Sequence, residues 1–189
     1  NVFDTVFYND QKGVNTRILV GKESEGGILY FGGVGKDTYL YRYHERSDAF
    51  LNLSVPFSIQ GEEPFEVHDL VIDSNDAIWM ATTYGLMKYA SEKVSKIDLG
   101  PDYSSIEIRG LTMTDDGTLW IATDTDGLLR YKDGKVMRFD VSSGLPTKIM
   151  NYRSIITTAD QKVWVGTAEG VAVSQEGNPN PKPTPSKSH

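Results

Sequence analysis

Three tryptophans, Trp79, Trp120 and Trp164, stand in near-copies of one phrase. Residues 73–89 read DSNDAIWMATTYGLMKY, residues 114–131 read TDDGTLWIATDTDGLLRY, and residues 158–174 read TADQKVWVGTAEGVAVS. The steps from one tryptophan to the next are 41 and 44 residues. A period of that size marks one supersecondary unit repeated around a ring or along a solenoid.

Each copy reads as short strands. Val67–Ile72 is an apolar-rich run suited to a strand buried on both sides. Asn75-Asp76, Asp116-Gly117 and Asp160-Gln161 follow as two-residue hairpin signals, because such residues tolerate positive φ. The Trp strand comes next, then a third strand opened by Gly85, Gly127 or Gly170, then a fourth such as 93–99 or 135–141. A repeat of about forty residues built from four antiparallel strands is a β-propeller blade. The expected fold is therefore all-β, a β-propeller of four-stranded antiparallel blades, about four in this chain, as a partial or small ring.

A degenerate first copy carries Tyr30 where tryptophan stands later. Two residues beyond each central aromatic the chain places Gly32, Ala81, Ala122 and Gly166, small enough for close approach between blades. The blades are expected near 16–57, 65–100, 106–141 and 149–174. Residues 5–18 resemble residues 135–149, where a fourth strand runs on into the next blade, so residues 1–12 are expected to close the last blade. A second copy of the chain could receive that strand instead, giving a homodimer that completes a ring. Residues 176–189 alternate proline with polar residues and read as a linker or disordered tail.

The formal net charge of −7 argues against nucleic acid as a partner. No apolar run reaches the length of about 20 residues that spans a bilayer, so no membrane contact is expected of this segment. The chain has no cysteine, which excludes disulfides and thiolate metal sites and fits a protein of the envelope.

These phrases resemble the two-component regulator propeller repeat, whose pattern is an apolar strand, an Asp-Gly turn, Leu-Trp-Ile-Gly-Thr, then Gly-Leu and an aromatic. Residues 118–131 carry that pattern, and Gly144-Leu145-Pro146 matches the family's linker before the next blade. The resemblance covers residues 65–174, with the weaker copy before them. It implies a periplasmic or extracellular sensor domain of a hybrid two-component system, of a kind that often responds to glycans.

Candidate binding residues fall at the blade ends away from the hairpin turns. His68, Arg109 and Arg153 each lie eleven residues before a tryptophan, so equivalent placement would set three cationic donors around one opening. Such donors suit a carboxylate, a phosphate or an acidic sugar. The alternative is pairing with Glu66, Asp69 and Glu107 nearby. Loops after the Trp strands carry Lys36, Asp37, Tyr84, Asp124, Asp126 and Glu169. Tyr84, Tyr152 and Tyr103 could stack on sugar rings, or else cover blade edges. Asp124-Thr125-Asp126 resembles half a calcium loop but lacks the glutamate that completes one, so no metal is expected. Tyr30, Trp79, Trp120 and Trp164 read as packing residues. No nucleophile elbow appears among the sequence motifs, and neither catalysis nor a cofactor is expected. The expected function is a ligand-sensing domain outside the cytoplasm, plausibly for an oligosaccharide. The alternatives are a protein interaction scaffold and, less strongly, a propeller lyase or hydrolase.

Overall fold

The computed structural model describes residues 16–35, 38–54 and 65–175. Among these residues every regular element is a strand, apart from single 3-10 turns at Glu45–Ser47, Pro101–Tyr103 and Val141–Ser143. The chain divides between Ile108 and Arg109 into two compact units.

The first unit holds two meandering antiparallel sheets. One runs β1 (Ile18–Glu23), β2 (Leu29–Gly33), β3 (Leu40–His44) and β4 (Ala49–Asn52). The other runs β5 (Val67–Ile72), β6 (Ile78–Thr82), β7 (Gly85–Ala90) and β8 (Lys93–Lys96). The second unit repeats the pattern with β9 (Ile108–Met113), which starts at the boundary, β10 (Leu119–Thr123), β11 (Leu128–Lys132) and β12 (Lys135–Phe139). Its last sheet has three strands among the described residues: β13 (Met150–Thr157), β14 (Val163–Thr167) and β15 (Gly170–Val173). These are propeller blades in strand number, order and sense. The expected closing strand at 1–12 and the tail at 176–189 lie outside the described residues.

One turn joins the first two strands of every sheet. Ser24, Asp73, Thr114 and Thr158 open it, and the N–H of each donates to the carbonyl four residues on. The N–H of Gly27, Asp76, Gly117 and Gln161 returns to that opening residue's carbonyl. Each of those four closing residues has φ between 59° and 77°. The loops are thus three residues long with one left-handed position, not the two-residue loops the dipeptides suggested. The opening side chain gives the reason. Asp73 Oδ1 accepts the N–H of Asn75 and Ala77, and Ser24 Oγ accepts that of Ile28, which holds the longer turn in place.

Packing repeats as well. In the first unit Val20, Tyr30 and Leu40 bury against Val67, Leu70, Ile78 and Met80 of the following sheet. In the second, Trp120, Ala122 and Leu128 bury against Met150, Ile155, Val163 and Val165. The aromatic face of one sheet therefore meets the aliphatic face of the next. A Cβ at Gly32 would come within 2.6 Å of Val67 Cγ1, so the small residue after the aromatic is required by that approach. Truncating a side chain in either row to alanine costs about 2–5 kcal/mol.

Candidate functional site

In three of the four sheets the end where the first strand begins and the second strand finishes is built by a threonine; the first sheet has Gly33 there. Thr82, Thr123 and Thr167 lie three residues after the tryptophans and are all buried. Their hydroxyls donate to the carbonyls of Gly85, Gly127 and Gly170 at 2.7, 2.7 and 2.9 Å. The same oxygens accept the N–H of Tyr84, Asp126 and Glu169 at 3.2, 3.0 and 3.2 Å. Three of the expected binding residues thus occupy one equivalent position, directly before the glycine. The threonines escaped the sequence reading, although their fixed spacing from tryptophan was the available signal.

The cationic residues lie where the first strand departs from regular pairing. In the second sheet Val67 opposes Thr82 and Asp69 opposes Ala81, which leaves His68 as an extra residue. A bulge of this kind re-aims a side chain. The buried His68 donates Nδ1–H to the carbonyl of Ile108, the first residue of β9, at 2.8 Å. Arg109 repeats the act in the second unit, its guanidinium donating to the carbonyl of Met150, the first residue of β13, at 2.9 Å.

Arg153 does not share this place. Met150 opposes Thr167 as Val67 opposes Thr82, yet Met150 stands two residues further from its tryptophan. The two extra residues widen the irregular stretch before Ile155, and Arg153 lies inside it, exposed, with φ of 52°. The residue following Met150, and so the counterpart of His68 and Arg109, is Asn151, whose Nδ2 donates to the Thr167 carbonyl at 2.9 Å.

The surrounding charges are largely matched. In the first unit His68 Nε2 is 3.4 Å from the Glu66 carboxylate, and Glu66 also lies 3.7 Å from Arg17. The buried Asp69 pairs with Lys22 at 3.5 Å. In the second unit Arg109 forms an ion pair with Asp124, and its guanidinium lies 4.7 Å over the ring of Tyr152. Arg138 links Asp126 at 3.9 Å and Asp140 at 3.6 Å. Arg109, Asp124 and Tyr152 are brought together. Glu169 is exposed on the loop after β14, and Tyr152 is exposed beside Arg109. Tyr84 is partly buried with its ring stacked toward Phe65, and Tyr103 ends a 3-10 turn. Lys36 and Asp37 lie outside the described residues.

At the opposite end the turn carboxylates are tied down. Burial raises the affinity of Asp73 for a proton, but the Trp79 indole N–H, the amides of Ala77 and Asn75 and the Lys88 ammonium outweigh it and hold the carboxyl below its usual range. The Lys132 ammonium and the Thr114 hydroxyl hold Asp116 well below that range. Tyr30, Trp79 and Trp120 are buried as packing residues, whereas Trp164 is 41 % exposed. No group of three or more His, Cys, Asp or Glu side chains among the described residues could hold a metal. No helix among them is long and apolar enough to cross a membrane.

No protein-family model matches the chain, and no curated protein does. Solved structures do. Two structures of the extracellular domain of BT4673 from B. thetaiotaomicron, named once as a one component and once as a hybrid two component system, match with TM-scores of 0.75 and 0.74. They are 20% and 19% identical to this chain over 91% of its length. The extracellular domain of BT3049 from the same organism, named as a hybrid two component system, matches with a TM-score of 0.65 at 22% identity over 85% of this chain. Virginiamycin B lyase from Staphylococcus aureus matches with a TM-score of 0.63 at 15% identity, covering 88% of this chain and 58% of the lyase. The chain spans 23% of the BT4673 domain and 22% of the BT3049 domain. In fold, then, these blades are similar to those of the BT4673 and BT3049 extracellular domains.

Proposed function

We propose that this chain is part of a ligand-sensing propeller domain of a two-component regulatory system, exposed outside the cytoplasm, and that it recognises an oligosaccharide. The likeness in fold to the BT4673 and BT3049 extracellular domains carries the reading. The repeat's resemblance to regulator propellers supports it independently. Within the second unit, Asp124, Asp126 and Glu169 lie on loops after the second strands, and Arg109 and Tyr152 lie near the starts of β9 and β13. An exposed aromatic ring takes the apolar side of a pyranose, and flanking carboxylates accept from its hydroxyls. Asp124 already pairs with Arg109, so this group suits a neutral sugar better than an anion. In the first unit His68 is buried and acts by positioning, while the Tyr84 ring stacks toward Phe65.

Titration of the chain with a panel of neutral and acidic oligosaccharides tests this. Tyr152→Ala is expected to weaken binding of the neutral sugar about tenfold, a change of about 1.4 kcal/mol, while costing stability no more than the about 0.5–1 kcal/mol of an exposed cation–π contact. Absence of binding by every glycan would remove the carbohydrate reading. The scaffold alternative draws on a different observation, the exposed apolar residues of the last sheet.

A further inference from the structure

One stretch of the second unit departs from the repeat. In β13 three consecutive residues, Asn151, Tyr152 and Arg153, are exposed, where a regular strand alternates its faces. The equivalent strands β5 and β9 have no exposed residue at all. Among the described residues, every other non-glycine with positive φ lies outside the strands, whereas Arg153, at φ of 52°, lies within one. A left-handed backbone disfavours arginine, and such strain persists only where the surroundings impose it.

Here they impose it from two sheets. Within its own sheet, Asn151 Nδ2 donates to the Thr167 carbonyl at 2.9 Å, and Ser154 Oγ bridges the carbonyls of Asn151 and Gly166 at 2.9 and 2.8 Å. From the neighbouring sheet, Gly110 brings its backbone up to that of Arg153: a Cβ there would lie 3.5 Å from Arg153 N. Arg109, the residue before it, holds the Met150 carbonyl and the Tyr152 ring. The stretch is thus a braced platform that keeps an aromatic and a cation side by side and exposed. The charge of Arg109 is already matched by Asp124, so Arg153 adds a second cation to the site.

We propose that Tyr152 and Arg153 form two adjoining subsites: the ring takes a neutral sugar unit, and the guanidinium takes an anionic substituent, carboxylate or sulfate, on the next unit. The inference rests on the sensing reading above and names the class of oligosaccharide, one in which acidic units adjoin neutral ones. The Cα atoms of consecutive residues are about 3.8 Å apart, so an arginine side chain reaches a group one sugar unit away from its neighbour's ring. Its planar fork matches the paired oxygens of such an anion, and the charge-assisted bonds it makes are stronger than those to a hydroxyl.

Calorimetric titration with hexasaccharides of hyaluronan, of chondroitin sulfate and of partly methyl-esterified polygalacturonate tests it. Each is compared with its carboxyl-reduced form, and chondroitin sulfate also with its desulfated form, which separates the two kinds of anion. At least one charged form should bind about tenfold tighter than the form lacking that charge. Arg153→Asn removes the cation and suits the left-handed backbone; it should abolish the difference and leave affinity for the uncharged form within about twofold. Arg153→Lys keeps the charge and should keep most of the difference at low salt. Arg153→Gln serves in place of Arg153→Asn if circular dichroism shows that the latter has lost its strands. Equal affinity for charged and uncharged forms overturns the proposal and leaves the neutral-sugar reading standing. A difference that survives Arg153→Asn also overturns it, because another cation then reads the anion. Absence of binding by every form overturns it together with the reading on which it rests.

Discussion

The indole N–H of Trp79 donates to the Asp73 carboxylate at 2.9 Å, joining the packing aromatic of the second sheet to the residue that opens its turn. Lys88 approaches the same carboxylate at 3.3 Å and lies 4.1 Å over the indole ring. One acidic side chain therefore serves the turn, the indole and the cation together. Replacing Asp73 with alanine leaves those donors unmatched in a partly buried place, and should cost about 1–3 kcal/mol in urea unfolding.

The pH dependence follows from the lowered carboxyl of Asp73. Unfolded, the group titrates near about 3.9, and folding binds its charged form more tightly. Its stabilising effect is complete above the unfolded value and fades as pH falls through the folded one. The wild-type chain should thus lose stability more steeply on acidification below pH of about 4 than Asp73→Asn does. Parallel acid limbs for the two proteins would contradict this.

Trp120 lacks the acceptor that Trp79 has. Thr114 stands where Asp73 stands, and among the described residues the buried Trp120 Nε1 has no hydrogen-bond partner. Thr114→Asp supplies a carboxylate at the equivalent position. The expected gain is about 1 kcal/mol, or a rise in melting temperature of about 2–4 °C. A fall in melting temperature would mean that the lost Thr114 bonds to Asp116 and Thr118 matter more.

The strands were legible because their signals are local. Apolar runs, turn residues and a tryptophan at fixed spacing placed β5 at 67–72, where the structure has it. The bulge partners were not legible. Counting back from Trp164 aligned Arg153 with Arg109, but the two residues inserted in β13 change the register without changing the phrase around the tryptophan. The pairing of Arg109 with Asp124 crosses from the start of one strand to the loop after the next, and Glu107 looked equally available. The exposure of Trp164 was hidden for another reason: a repeat position specifies the kind of surface a residue packs against, not how far the residue is covered.

Two glycines of one sheet should respond differently to alanine. Gly117 has φ of 76° and open space where a Cβ would go, so Gly117→Ala should cost about 1 kcal/mol, from the left-handed backbone alone. Gly127 has φ of 82°, and its Cβ would come within 2.3 Å of the Phe139 carbonyl oxygen. Main chain must shift there, and β11–β12 pairing begins at Leu128 and Phe139. Gly127→Ala should exceed the Gly117 cost by about 2 kcal/mol or more in the same denaturation experiment.

Arg109 is expected to act on stability more than on charge recognition. Its guanidinium holds the Met150 carbonyl, the Asp124 carboxylate and the Tyr152 ring at once, and only 19% of the side chain is exposed. A planar fork is needed for all three, which the single ammonium of lysine does not provide. Arg109→Lys should therefore be destabilised by about 1–2 kcal/mol although the charge is kept. Arg109→Ala should lose more, since Asp124 then remains half-buried without its cation. The double-mutant cycle with Asp124→Asn separates these effects, and its coupling energy should be about 0.5–3 kcal/mol. A coupling near zero, with Arg109→Lys as stable as the parent chain, would show that the ion pair is screened by solvent and that the Met150 bond alone anchors the arginine.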